Sequence, residues 1–61
     1  MSVLEAQRKL TELGYRPGPI DGALGPRTTA AVRAFQRDQK LRETGQIDAA
    51  TSQQLRASNR R

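Results

Sequence analysis

The sequence contains no cysteine, no histidine and no tryptophan, and only one tyrosine and one phenylalanine among its 61 residues. Without cysteine no disulfide can stabilise the fold, and the usual zinc ligands are missing. The six acidic residues form no close pair in an evident cleft, which acid–base hydrolysis of a glycan would need. We therefore expect a non-catalytic domain that holds no metal and no other cofactor.

Long apolar runs are also missing, because no segment approaches the roughly 20 residues that a membrane-spanning helix needs. No signal-peptide pattern is visible, although a module taken from a longer protein would look the same. The length allows one domain, which we expect to be monomeric. The net charge of +5, from 11 basic and 6 acidic residues, favours polyanionic partners such as nucleic acid, an anionic membrane or an acidic wall polymer.

Three segments have the spacing of amphipathic helices, and no segment alternates apolar and polar residues for long enough to predict a strand. The fold class predicted is all-α, a compact three-helix bundle with a long ordered loop between helices 1 and 2. We expect the domain to span residues 1–57 and the basic residues 58–61 to form a frayed tail. The predicted helices extend from Ser2 to Leu13, from Pro26 to about Lys40, and from the residue after Asp48 to about Ala57.

Helix boundaries and core positions follow from the same pattern. Ser2 and Glu5 have the spacing of a capping box, and Asp48 is a suitable N-cap. Gly25 precedes a proline that is favoured at the first helical position. The large apolar side chains suffice for one thin core, with the predicted members Leu10, Leu13, Ile20, Val32, Phe35, Leu41, Ile47 and Leu55.

The segment GPIDGALGPRT, from Gly18 to Thr28, is unusually rich in glycine and proline. It lacks both the GxxxxGK[ST] and the GxGxxG patterns, and no strand precedes it, so a phosphate-binding loop is excluded. We expect Ile20 and Leu24 to anchor it in the core. We also expect Gly22 or Gly25 to adopt a backbone conformation unfavourable for other residues, and Asp21 to accept main-chain hydrogen bonds.

A short repeat accompanies this loop, since GPID at residues 18–21 recurs as GQID at residues 45–48. Each copy leads to a helix with a threonine near its start, either Thr28 or Thr51. The repeat predicts two similar helix-entry loops within one small domain.

One extended pattern covers nearly the whole chain. Leu13, Gly14 and Tyr15 are followed by Gly-x-x-Asp-Gly-x-x-Gly-x-x-Thr-x-x-Ala-Val-x-x-Phe-Gln over residues 18–36. A second part, Gly-x-x-Asp-x-x-Thr-x-x-x-Leu, covers residues 45–55. In these motifs the chain resembles the three-helix peptidoglycan-binding domain found in many cell-wall hydrolases. The resemblance implies a binding module of the bacterial cell envelope, periplasmic or extracellular, that tethers an attached enzyme or protein to peptidoglycan.

The resemblance also suggests where such a ligand would bind. The stem peptides of peptidoglycan end in carboxylates, which arginine binds through two parallel hydrogen bonds. Exposed N–H groups at the start of helix 2 add partial positive charge. The predicted ligand site is shallow and consists of Tyr15, Arg16, Asp21, Gly22, Arg27 and Thr28.

A separate basic stripe on helix 2 is formed by Arg33, Arg37 and Lys40. This stripe would suit anionic wall polymers or DNA.

Two other classes of function stay open. Leu24 and Ser52 occupy positions where the family often has aromatic residues, so the same fold could serve as a protein-interaction or regulatory module without glycan binding. A small DNA-binding domain is suggested by the charge. However, the connection between the first two helices is far longer than a helix-turn-helix uses, and the last helix is poor in residues that read bases.

Overall fold

Three α-helices joined by two ordered loops form the computed structural model, which describes residues 1–58. Helix α1 spans Val3–Glu12, α2 spans Pro26–Asp38 and α3 spans Ala49–Ala57. No strand occurs within the described residues, and the all-α prediction is confirmed. The predicted tail falls mostly on residues 59–61, which lie outside the described residues.

The helix starts follow their predicted caps. The Ser2 hydroxyl accepts a hydrogen bond from the Glu5 N–H at 3.2 Å, and the Glu5 carboxylate accepts one from the Ser2 N–H at 3.2 Å. The Asp48 carboxylate likewise accepts from the Thr51 N–H at 3.0 Å. Gly25 is the N-cap of α2, with proline at the first helical position. The capping box and all three N-caps are therefore confirmed.

Helix α2 ends two residues before the predicted limit. Its last residue is Asp38, and Lys40 adopts a left-handed backbone conformation with φ of 60°. The Lys40 N–H donates to the Arg37 carbonyl at 3.0 Å, which closes the last turn. The chain leaves α1 in a similar way, because Gly14, two residues after the last helical residue Glu12, has φ of 96°. Glycine adopts this conformation without the steric cost that a Cβ brings, so a glycine in the sequence marks the end of α1. The end of α2 has a lysine at the corresponding position and is therefore not marked in the same way.

The core lies where the three helices meet. Tyr15 packs against it with its ring edge-on to the Phe35 ring, at a centroid distance of 5.8 Å. Leu13 and Ile47 are half-buried and also pack against this centre, while Leu41 is half-buried. The fully buried apolar members are Ala6, Leu10, Ala31, Val32, Phe35 and Leu55.

The loop anchors were predicted wrongly. Ile20 is 43% exposed and Leu24 is 45% exposed, so neither side chain is part of the core. The space beneath the loop is occupied instead by Gln7, which is completely buried and hydrogen-bonded to the loop backbone. Because the loop is held by polar contacts on its inner side, its two large apolar side chains stay in contact with solvent.

Phe35→Ala is expected to lower the free energy of unfolding by about 3–5 kcal/mol, because the ring is 1% exposed and its removal leaves a cavity. A domain this small has little stability to lose, so this change should leave it largely unfolded. Thermal or urea denaturation followed by circular dichroism measures the loss. Ala30→Gln, at an exposed position of the same helix, is the control and should unfold like wild type. A cooperative, wild-type transition for Phe35→Ala would contradict the core described above.

Candidate functional site

A completely buried glutamine holds the first loop from its inner side. The Gln7 Nε2 group donates to the Ala23 carbonyl at 2.9 Å and to the Thr28 hydroxyl at 3.0 Å. Its Oε1 accepts from the Gly22 N–H at 2.8 Å. A longer contact of 3.4 Å joins Nε2 to the Asp21 carboxylate. These contacts engage both the N–H donors and the carbonyl oxygen of the amide.

The second loop is held in the same way by Gln36, which is also completely buried. Its Nε2 donates to the Gln46 carbonyl at 3.0 Å and to the Thr51 hydroxyl at 2.8 Å. Its Oε1 accepts from the Gly45 N–H at 3.0 Å, and Nε2 lies 3.0 Å from the Thr44 hydroxyl. Each loop therefore has one buried amide, one glycine N–H, one carbonyl and one threonine hydroxyl in equivalent roles.

This equivalence confirms two similar helix-entry loops but changes their alignment. The structural counterpart of Gly45 is Gly22, with φ of 75° and 78° respectively, and not Gly18. Asp21 accepts from the Ala23 N–H at 2.9 Å, as predicted for its carboxylate. The GPID and GQID letters match by sequence, whereas the backbone geometry is set by which glycine reaches the buried amide.

The outer side of the first loop forms an open depression beside the start of α2, with a volume of about 370 Å³. The aliphatic part of Arg27 lies against Gly18, where an added Cβ would be 3.3 Å from both Cβ and Cδ of the arginine. Gly18 also has φ of 87°, a conformation that residues with a Cβ rarely adopt, so the backbone favours glycine there and the close approach of Arg27 adds to this preference. The depression is lined by Pro17, Pro19, Asp21, Ala23, Gly25, Pro26, Arg27 and Thr28.

Three of the six predicted site residues, Asp21, Arg27 and Thr28, line this depression. Arg16 is exposed and immediately precedes the lining residue Pro17 in the chain. Gly22 belongs to the same loop, but its N–H donates inward to the buried amide. The side chains differ in what they offer to a ligand, since the two arginines reach solvent and the threonine does not.

Thr28 connects the loop to α2 from within. It is 2% exposed, and its hydroxyl donates to the Pro17 carbonyl at 2.8 Å while accepting from Gln7 at 3.0 Å. The hydroxyl is therefore engaged on both its donor and its acceptor side. Thr28 lies in the floor of the depression, and its hydroxyl is already occupied by contacts within the protein.

Tyr15 lies elsewhere. Its hydroxyl donates to the carboxylate of Asp38, the last residue of α2, while Arg27 belongs to the first turn of that helix. At 1.5 Å of rise per residue these two positions are about 16 Å apart along the helix axis. The structure therefore places three of the six predicted residues, Asp21, Arg27 and Thr28, in the lining of the depression, and the tyrosine hydroxyl at the other end of α2.

Hydrogen bonding favours the charged form of the loop carboxylate. The N–H of Ala23 holds the pKa of Asp21 below its ordinary value, and the Gln7 amide adds to this effect. Asp48, the N-cap of α3, has a lowered pKa for a similar reason, chiefly its contact with the Thr51 hydroxyl. Both carboxylates thus act as acceptors for the chain's own groups.

The basic stripe is exposed, and its members have different surroundings. Arg33 and Arg37 are exposed on α2, and Lys40 follows the end of that helix. Arg37 is 3.8 Å from the Glu43 carboxylate, an exposed pair that adds little stability. Arg33 lies over Gly45, where an added Cβ would be 3.0 Å from its Nε. The stripe therefore flanks the second loop and not the depression.

Gln7 was not among the residues singled out from the sequence. Its position on α1, three residues before Leu10 and next to Ala6, gives it the same face as core residues. The available signal was a glutamine on the apolar face of a helix. Its role could be recognised only once the groups that its amide binds were known. Those partners are fourteen to twenty-one residues away in the chain.

No group of three or more histidine, cysteine, aspartate or glutamate side chains within residues 1–58 could hold a metal ion. None of the three helices is both long enough and apolar enough to cross a bilayer.

A family model described as "Putative peptidoglycan binding domain" matches residues 2–55. The chain belongs to this peptidoglycan-binding family. The family resemblance drawn from the sequence motifs is therefore confirmed over nearly all of the chain. The matched residues of this peptidoglycan-binding domain contain α1, α2, both loops, both buried glutamines and α3 as far as Leu55.

Curated relatives carry this domain as a small part of a longer protein. The chain is 50% identical over 50 residues to "Localization factor PodJL" of Caulobacter vibrioides, covering 82% of this chain and 5% of that protein. It is 48% identical over 52 residues to "Putative OxPP cycle protein OpcA" of Nostoc punctiforme, covering 85% of this chain and 11% of that protein. No solved structure matches the chain.

Tyr15 provides a pH-dependent test of the packing. Burial raises its pKa to about 12, and the hydrogen bond and charge of Asp38 act in the same direction. In the unfolded chain the tyrosine ionises at its ordinary pKa near 10. Between pH 10 and about 12 the tyrosine is therefore protonated in the folded state and ionised in the unfolded state. The stability from this shift is complete below pH 10 and is lost as the pH rises towards 12.

Ultraviolet absorbance of the single tyrosine follows this ionisation directly, because the chain has no tryptophan. Asp38→Asn should lower the tyrosine pKa without restoring the ordinary value, since burial is the larger cause. Glu43→Gln, which removes an exposed carboxylate that pairs with Arg37, is the matched control and should leave the titration unchanged. Ionisation of the folded protein near pH 10 would show that the tyrosine is neither buried nor bonded as described.

Proposed function

We propose that this domain binds peptidoglycan without hydrolysing it and holds an attached protein at the bacterial wall, in the periplasm or outside the cell. The observation that carries the proposal is the family match over residues 2–55. A module bound to peptidoglycan raises the local concentration of the attached protein at the wall, and this tethering needs no catalytic group.

We propose further that the ligand lies across the depression at the start of α2. Arg27 and Arg16 would bind the carboxylates of a stem peptide, and the prolines would contact its apolar parts. Asp21, Gly22 and Thr28 would contribute through the shape of the loop. Tyr15 would contribute by fixing the chain next to Arg16, because its ring and hydroxyl are both held in place. An open surface of this size favours modest affinity.

A second candidate function is a protein-interaction module on the same loop. Ile20 and Leu24 are large apolar side chains that stay 43% and 45% exposed in this loop. The relatives include a protein named as a localization factor and one named for the OxPP cycle, and neither name refers to the wall. In this alternative the loop would bind a protein surface and the domain would not be retained on peptidoglycan.

Co-sedimentation with purified sacculi tests the proposal. Wild-type domain should be retained and should release no soluble fragments. Arg27→Ala should abolish retention because it removes the cation beside the depression. Arg42→Ala, an exposed arginine of the second loop, is the matched control and should bind like wild type.

The basic stripe is tested by replacing Arg33, Arg37 and Lys40 with glutamine. If the loop site binds the ligand, this triple variant should still be retained. If charge on the stripe drives adhesion, the triple variant should be lost and salt should weaken wild-type retention steeply. Absence of wild-type retention at low salt, with circular dichroism showing intact helices, would favour the protein-interaction function. Tight retention on duplex DNA would favour nucleic-acid binding.

A further inference from the structure

We propose that Gln7 is the positioning residue of the ligand-binding loop: it sets the shape of the depression from inside, without touching the ligand. The inference rests on the proposed function, since it concerns the same face of the domain. It assigns to a buried residue of α1 a role in binding that depends on contacts with the loop and with α2.

Three of the residues that line the depression contact this one side chain. The Gln7 amide binds the Ala23 carbonyl, the Thr28 hydroxyl and, at 3.4 Å, the Asp21 carboxylate. Thr28 is the neighbour of Arg27 in the first turn of α2. One amide thus connects α1, the loop and the start of α2, which are the parts that must keep a fixed spacing for the depression to persist.

On its inner side the loop is held by the Gln7 amide and, nearer its start, by the Thr28 hydroxyl, which donates to the Pro17 carbonyl at 2.8 Å. Its two large apolar side chains, Ile20 and Leu24, are not buried, and the chain has no cysteine to cross-link it. Its inner face is polar backbone, with the Gly22 N–H and the Ala23 carbonyl both directed at the amide. Removal of the amide leaves the Gly22 N–H without this acceptor, while the Ala23 carbonyl keeps the Gly25 N–H at 3.1 Å, so the loop must shift around Gly22 to restore the lost hydrogen bond.

The second loop supplies an internal control of matched chemistry. Gln36 has the same burial, binds a glycine N–H, a carbonyl and a threonine hydroxyl, and holds a loop that does not line the depression. Gln36→Leu therefore removes an equivalent set of hydrogen bonds from the same fold. Comparison of Gln7→Leu with Gln36→Leu therefore separates the effect of lost stability from the effect of a displaced first loop.

The experiment compares Gln7→Leu with Gln36→Leu in sacculus co-sedimentation. Retention is measured against sacculus concentration at a temperature where circular dichroism shows both variants folded. We expect Gln7→Leu to bind about tenfold more weakly than wild type and Gln36→Leu to bind like wild type, although both lose stability. Backbone amide exchange should become faster at Gly22 in the first variant and at Gly45 in the second.

A milder pair covers the case in which a glutamine variant does not fold. Thr28→Val and Thr51→Val keep the side-chain shape and remove only the hydroxyl that meets each glutamine. Thr28→Val should weaken retention and Thr51→Val should not. Because Thr28 is 2% exposed, such a loss reports loop position and not a missing ligand contact.

The outcomes distinguish the two proposals. Wild-type retention with equal binding of the Gln7 and Gln36 variants would overturn the positioning role and leave the proposed function standing. Equal losses in both variants would also overturn it, because the effect would then come from stability alone. Absence of wild-type retention would overturn the proposed function itself.

Discussion

A primary amide buried beneath each loop is the interaction on which this domain depends. Burying such a group without partners would cost several kcal/mol, so it is tolerated only when its donors and acceptor are satisfied. Gln7 and Gln36 meet this condition by binding loop backbone, each accepting from a glycine N–H and donating to a carbonyl. Within residues 1–58, no buried side-chain nitrogen or oxygen lacks a hydrogen-bond partner. Polar contacts thereby order loops that a chain with so few large apolar residues could not bury.

The two loops share this device but present different outer surfaces. The first is three residues longer than the second and forms the proline-lined depression with Arg27 along it. In the second, Gly45 is buried beneath Thr29 and Arg33, where an added Cβ would come within 2.9 and 3.0 Å of their side chains. One internal arrangement therefore supports one loop that is open to a ligand and one that is packed against a helix. This asymmetry is what allows binding and stability to be separated experimentally.

Family membership and the proposed ligand contacts rest on different residues. The glycines, threonines and glutamine of the family pattern hold the backbone, as Gly22, Thr28 and Gln36 do here. Side chains that face solvent around the depression, Arg16 and Arg27, lie between the positions of that pattern. A chain can thus keep the fold while the solvent-facing side chains of the loop change. Substitution of these side chains therefore distinguishes the peptidoglycan-binding function from the protein-interaction function.

Sequence alone was sufficient for the helices, their N-caps and most of the core, because these follow from contacts between residues three or four positions apart. It also identified the glycine-rich loop and the arginine beside it. Only the tertiary structure decided that Ile20 and Leu24 stay exposed and that Gly22, not Gly18, corresponds to Gly45. It also placed the Tyr15 hydroxyl at the far end of α2. The reason is that the hydrogen bonds of Gln7 and Gln36 join residues that are distant in the chain, and no local pattern records which polar group a buried amide will meet.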